Sequence, residues 1–463
     1  DPLKDPSIDQ SLLGHTYQVV MPMTVTKVKD GHTVENTATQ VTNDKRDKTN
    51  TVTNPLKEIN PTKDVTVKVG GDSIDGKSVY LNHTFLYRLD SSILPPDRAY
   101  QTVTDWGGTD QLNTEYDQYL GNWAVYASRD LYRDGQVLAA RGEKIAGSGF
   151  DSSKFGGNLF TVDADDNGKV TADATQTYLD LVSADNEHEA GWVLYLQCKR
   201  IAVADEVPNT WTETINGQPR ESNKVVTKTP DMTPSIHLEK VDTPTLKQDS
   251  QEQADRDDPK QALKMDADSI GITFIITNTS KTDPATGDGA WYKASDLNLD
   301  DSTIVGDAHV DMDSLTYPDN WDTLVLKPGE SVSVTGTLKG VKEGETHTDR
   351  AIVTGTPLVE CAPSNGDPFN DKTDGGEDTD PEYSTGDVTE IDGKQLCADT
   401  QATSNTDDWN GYRAKPLAST GTAVLGLAGG ALAVLLAGGS LLVFRKRHCA
   451  QGSGRHTAVN AGK

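Results

Sequence analysis

One pattern occurs twice in this chain, and it limits the fold more than any other feature. Val34-Glu35-Asn36-Thr37 leads to Thr49-Asn50-Thr51-Val52-Thr53-Asn54-Pro55. Val207-Pro208-Asn209-Thr210 leads to Ser222-Asn223-Lys224-Val225-Val226-Thr227-Lys228-Thr229-Pro230. Asn36 stands 14 positions before Asn50, and Asn209 stands 14 before Asn223. An alternating strand lies upstream of each copy, at 17–21 and 192–196. A period of about 175 residues is far longer than the ~20–50 of a solenoid unit. Each copy therefore closes a domain with two strands and a proline exit, and the domains follow one another as beads. Residues 1–55 read as the C-terminal part of a β-sandwich. Residues 56–230 read as a complete one, 231–413 as an Ig-like sandwich, and 414–463 as a separate C-terminal segment.

The expected class is mainly β, with tandem Ig-like sandwiches and one C-terminal transmembrane helix. Alternation predicts strands at 65–69, 78–80, 84–89 and 122–126, with Asp75-Gly76 as a turn. Segment 97–119 is less regular, with room for short helices. Apolar spacing at Tyr178, Leu181 and Val182 predicts a helix over 176–184. In the third unit, 236–241 and 270–279 read as strands. Leu326-Lys327-Pro328-Gly329-Glu330 reads as a hairpin turn, followed by alternation through Val332, Val334 and Leu338. From Asp367 to Asp392 there are ten acids and one Lys, which reads as a mobile acidic loop.

The 463 residues carry a formal charge of −28, which argues against binding a nucleic-acid backbone, where Lys and Arg must neutralise phosphates. It suits a soluble surface protein. Asp1 falls inside a domain and no signal peptide opens the chain, so the sequence reads as the C-terminal portion of something longer, with an exported mature product as the alternative. Four cysteines are too few for a disulfide scaffold. Cys361 and Cys397 flank the acidic loop and are expected to pair, as cysteines of exported proteins usually do. Cys198 reads as a buried free thiol, and Cys449 lies beyond the last apolar run. That run, 422–444, has no charge and is long enough to cross a bilayer as a helix. Arg445-Lys446-Arg447 behind it would stay on the cytoplasmic side.

Leu417-Ala418-Ser419-Thr420-Gly421, the apolar run and the basic tail stand in the order of a Gram-positive cell-wall sorting signal. The layout resembles the LAxTG variant of that signal. The resemblance implies that a sortase cuts between Thr420 and Gly421 and joins the Thr carboxyl to a peptidoglycan amine. An ordinary single-pass anchor is the plainer reading of the same run.

Asn60-Pro61-Thr62-Lys63-Asp64-Val65, Asp75-Gly76-Lys77-Ser78-Val79, Trp123-Ala124-Val125-Tyr126 and Ser222-Asn223-Lys224-Val225-Val226 resemble the C-terminal adherence domains of streptococcal antigen I/II surface adhesins. The similarity covers residues 1–230. The third unit looks instead like Ig-like modules of Gram-positive surface proteins. The antigen I/II resemblance implies β-sandwiches crosslinked internally by a Lys–Asn isopeptide bond and serving as the stalk of a more distal head. Such a bond needs a Lys that burial has deprived of its charge, an Asn carboxamide and an acid to move the proton. The ordinary alternative is that these residues lie on solvent faces. Lys57, Lys63 and Lys68 stand near the first strand, and Lys63 is favoured. Asn223 is the preferred acceptor, with Asn209 the other choice, and Asp90 is the preferred acid. The third unit offers Lys240, Asn405 and either Asp300 or Asp301 in a parallel layout, with the Ser-Asn dipeptide recurring.

Asp163-Ala164-Asp165-Asp166-Asn167-Gly168 begins like a calcium loop, but Ala174 occupies the position where an EF-hand needs a bidentate Glu. A polar hairpin turn is the simpler reading, and no metal or cofactor is expected. Neither HExxH nor a Gly-x-Ser-x-Gly strand–turn–helix frame occurs, so no enzyme is expected. The expected function is a wall-anchored adhesin stalk facing host or co-colonising cells, with sortase and the wall as partners. A sortase-polymerised pilin subunit, or the stalk of a surface enzyme, are the alternatives.

Overall fold

The computed structural model describes residues 18–23, 25, 27, 31–243, 256–362, 369 and 388–416. The described residues up to 414 form one compact unit. The pentapeptide Leu417 to Gly421, the expected span 422–444 and the basic tail lie outside the described residues. No helix among the described residues is long and apolar enough to cross a membrane.

The sequence repeat is also a repeat of strand register. Asn36 pairs with Val52 and Thr42 with Lys45, while Asn209 pairs with Val225 and Ile215 with Gln218. Both inner hairpins turn on two residues with left-handed φ: Asn43 and Asp44 at 49° and 66°, Asn216 and Gly217 at 48° and 72°. Paired positive φ values match a turn to the twist of the strands it joins, and Asn, Asp and Gly tolerate them best. Burial differs between the copies. Val34 and Val52 are exposed, whereas their counterparts Val207 and Val225 are buried.

Residues 62–229 build a sandwich of two five-stranded sheets. The first runs, in spatial order, Lys144–Gly147, Asp117–Ala127, Trp192–Arg200, Thr84–Asp90, Thr62–Thr66. The second runs Phe160–Ala164, Lys169–Ala174, Trp106–Gln111, Trp211–Ile215, Gln218–Glu221. The core between them is aromatic: Trp106, Trp192, Trp211, Phe160 and Tyr178 are buried, with ring centroids 4.7–6.1 Å apart. The helix Gln176–Ala184 forms where the apolar spacing placed it, with Tyr178, Leu181 and Val182 inward.

Segment 97–119 departs from expectation, because Trp106–Gln111 is a central strand. Gly107 and Gly108 break the visible alternation there, and both are required by close packing. A Cβ on Gly107 would stand 2.4 Å from the Ala172 carbonyl oxygen, and one on Gly108 2.6 Å from the Trp211 ring. The first strand stops at Thr66, and Val67 is exposed. The expected strand 78–80 is reduced to a single bridge from Ser78 to Lys228.

The third domain has its own core. Ile236–Asp242, Ser269–Asn278, Ser331–Lys339 and His309–Val310 form one sheet. Facing it are Leu263–Met265, Asp407–Arg413, Thr346–Gly355 and Asn298–Val305, with Phe274, Val334, Val353 and Trp409 fully buried between. Val332, Val334 and Leu338 all point inward. The turn before them does not close a two-strand hairpin, since Val325–Leu326 pairs with Tyr292–Lys293 instead.

A small sheet, Leu358–Glu360, Lys394–Ala398 and Thr389–Ile391, carries the Cys361–Cys397 disulfide, with its Cα atoms 4.9 Å apart. Closing a loop of 36 positions stabilises by about 3–4 kcal/mol in the chain-entropy account. Alkylation of unreduced protein should label neither cysteine. Modification of both in oxidised, secreted material would show the bridge to be absent.

Candidate functional site

Lys63 enters the second domain on the edge strand of the first sheet, opposite Leu89. Its side chain is fully buried, and its amine donates a hydrogen bond to Asp110 Oδ2 while lying 4.4 Å from the centroid of the Tyr87 ring. Burial pushes the amine below its usual range, against the attraction of Asp110. Asp110 belongs to the other sheet, in the strand that the two glycines obscured.

Asp110 pairs with Trp211 across that sheet. The Trp211 indole N–H donates to the Thr62 carbonyl at 3.0 Å, which pins this strand beside Lys63. Asn209 ends the strand Ala204–Asn209, two residues before Trp211. It is 6% exposed, and its Nδ2 has no hydrogen-bond partner. Asp110 Oδ1 is likewise buried and unpartnered. Buried polar groups are nearly always satisfied, so these two orphans need a reason.

The residues favoured from sequence are distributed differently. Asn223 Oδ1 accepts from the Lys63 backbone N–H, and its Nδ2 donates to the Lys63 carbonyl, both at 2.8 Å. It thus extends the ladder of the first strand, and its carboxamide is engaged with backbone. Asp90 accepts from Arg88 at 2.8 Å and stands opposite Thr62 in the ladder. Burial pushes its pKa up, with Arg88 opposing. Of the sequence candidates, Lys63 is buried against Asp110 and Asn209 is buried with a free amide, whereas Asn223 is held by backbone and Asp90 by Arg88.

A second buried group lies close by. Arg200 Nε donates to Asp117 Oδ1 and the Tyr87 hydroxyl to Asp117 Oδ2, each at 2.8 Å. The guanidinium also donates to Thr229 at 2.9 Å and Thr227 at 2.6 Å. Tyr87 therefore links this pair to Lys63. Cys198 is fully buried among them, and burial raises its thiol pKa well above the usual value.

The third domain repeats the plan with other groups. Lys240 is buried, its amine donates to Asp301 Oδ2, and it lies 2.7 Å from Asp349 Oδ1. Asp300 points to solvent, as its neighbour Asp301 points in. Asn405 accepts from the Leu238 N–H and donates to the Leu238 carbonyl, both at 2.9 Å, as Asn223 does with Lys63. The Ser-Asn dipeptide explains itself in both domains. Ser222 and Ser404 accept from the N–H groups of Trp211 and Val353 in the second sheet, while the following Asn clamps the first strand of the other. No group of three or more His, Cys, Asp or Glu side chains suited to a metal ion occurs among the described residues.

Sandwiches with a basic side chain buried between their sheets define the class, and the comparisons with known proteins say which proteins the first two resemble. The cell surface antigen C-terminus family matches residues 60–230, and the antigen I/II C2 terminal domain family matches residues 3–56. Residues 3–56 and 60–230 thus match C-terminal domains of the antigen I/II type, which are families of adhesin-like surface antigens. An aggregation substance from Enterococcus faecalis is 35% identical over 233 residues, covering 49% of this chain and 17% of that protein. The chain therefore spans about a fifth or less of that relative's length. The C-terminal domain of the Streptococcus pyogenes antigen I/II-family protein AspA is 28% identical, covering 42% of this chain and 54% of that one, with a TM-score of 0.37. The C-terminal domain of the Streptococcus agalactiae AgI/II polypeptide BspA is 23% identical, covering 42% and 58%, with the same TM-score.

Proposed function

We propose that this chain is the stalk of a wall-anchored adhesin whose second domain is locked by an amide between Lys63 and Asn209. The observation that carries this is the buried Lys63–Asp110 pair, with the unpartnered Nδ2 of Asn209 two residues before Trp211, the cross-strand neighbour of Asp110. The neutral amine attacks Cγ of Asn209. Asp110 lends a proton to the carboxamide oxygen, carries a proton from Nζ to the leaving nitrogen, and takes the first proton back as the C–N bond breaks. One amide forms, one ammonia leaves, and Asp110 returns to its starting state. Burial serves the reaction twice, by holding the amine neutral and by excluding the water that would hydrolyse the product.

A stalk must carry tension between its ends. The proposed bond ties the first sheet to the strand Ala204–Asn209, near the entry and exit of the domain. The test is peptide mapping of the full chain. Peptides containing Lys63 and Asn209 should appear joined, about 17 Da lighter than their sum, the mass of ammonia. Recovery of both as separate peptides would remove the crosslink.

Attachment rests on the sequence of Leu417-Ala418-Ser419-Thr420-Gly421, the apolar run and the basic tail. Protein released from the wall by a muramidase should end at Thr420, bonded to a peptidoglycan fragment. Detergent extraction of a chain that still carries 421–463 would instead indicate a plain membrane anchor. The upstream ligand would be on a host or neighbouring cell, as the adhesin class implies.

A further inference from the structure

We propose that the third domain carries a different crosslink, an amide between Lys240 and Asp349 formed with loss of water. It lies outside the matched antigen I/II segments and does not depend on the Lys63 bond. Lys240 and Asp349 are respectively 1% and 0% exposed, and the amine lies over the Phe274 ring, 5.4 Å from its centroid. The amine donates its hydrogen bond to Asp301, yet it stands 2.7 Å from Asp349 Oδ1 without the alignment of a hydrogen bond. Neither oxygen of Asp349 has a hydrogen-bond partner, and neither ring nitrogen of the buried His347 has one, with Nε2 3.2 Å from Asp349 Oδ2.

The buried or clamping asparagines described in this domain are engaged. Asn405 clamps Leu238. Asn410 donates to the Arg256 carbonyl at 2.7 Å and accepts from Thr348 at 2.6 Å. Asn278 donates to the Ala290 and Leu326 carbonyls at 2.8 and 2.9 Å. Among the described residues of this domain, no buried asparagine has an unpartnered amide as Asn209 does in the second. Lys240 instead faces two carboxyls in a dry core, an arrangement that leaves surplus negative charge buried at high cost. Condensation removes one charge of each sign and leaves a neutral amide.

The chemistry balances. A proton passes from the Lys240 amine to Asp349, 2.7 Å away, and the freed amine attacks Cγ of Asp349. Asp301, whose pKa burial pushes up to about 6, donates a proton to the departing hydroxyl and takes one from Nζ. Water leaves, the amide keeps one hydrogen, and Asp301 is restored. Asp301 sits across the amine from Asp349, where that transfer needs it.

The full chain, reduced and digested with trypsin, decides the matter. The Lys240 and Asp349 peptides should be recovered joined, about 18 Da below their summed mass, the mass of water, with no cleavage after Lys240. Asp301→Ala and Asp349→Ala should each return them uncrosslinked. Asp349→Asn should give a product identical in mass to the wild type, because ammonia replaces water as the leaving group. Free Lys240 cut by trypsin in wild-type protein overturns the proposal whatever the variants do. So does a bond that maps to Asp301, or one to Asn405 with loss of ammonia. The Lys63 peptides report separately in the same digest.

Discussion

Asp110→Ala should yield a chain in which Lys63 and Asn209 are recovered unlinked, and whose second domain melts ~10–20 °C lower. The size follows from loop closure. Cross-linking residues 63 and 209 restricts the unfolded ensemble by about 5 kcal/mol in the chain-entropy account. A domain of this size shifts by ~2–4 °C per kcal/mol. Lys63→Met separates the bond from its surroundings. It removes amine and bond together and leaves no buried cation, so it should fall between wild type and Asp110→Ala. Pulling on the ends gives a larger contrast. In the linked domain only about 30 residues lie outside the closed loop, and they extend by about 100 Å. Without the bond, about 170 residues pay out about 600 Å. A wild-type extension near the longer value would sink the locked-stalk reading, as would an Asp110→Ala protein that still loses ammonia.

The sequence and the structure agree where a signal was local. The helix Gln176–Ala184 shows in the spacing of three residues, and the repeat shows in two Asn pairs whose register the strands reproduce. Lys63 and Lys240 could be picked out because each opens a domain beside a recognisable strand. Their partners could not be, because a facing residue is set by long-range pairing that one sequence does not display. Asp110 was further hidden by Gly107 and Gly108, whose missing side chains make room for Trp211 and the Ala172 carbonyl and so erase the alternation. Asn223 and Asn405 drew attention through a real repetition, Ser-Asn. The repetition serves the clamping of an edge strand, and both carboxamides are consumed by backbone. Asp349 carried no sequence signal beyond a polar position in an alternating strand.

Arg200 and Asp117 should prove the costliest pair in the second domain to divide. Both side chains are fully buried, and together they satisfy Tyr87, Thr227 and Thr229. Burial pushes the Asp117 carboxyl up, and Arg200 opposes that shift. The guanidinium beside it cannot shed its proton. Asp117→Leu leaves that cation in an apolar core, a loss of about 3–5 kcal/mol. Arg200→Met leaves the anion, which can escape by taking up a proton, so its loss should be smaller and should shrink at acid pH. The double variant should recover much of the stability, because a buried ion pair contributes little over apolar groups of similar volume. Denaturant unfolding of the four proteins in an Asn209→Ala background measures the cycle without the covalent lock. Equal losses from the two single variants, unchanged by pH, would mean that packing and not charge holds this part of the core.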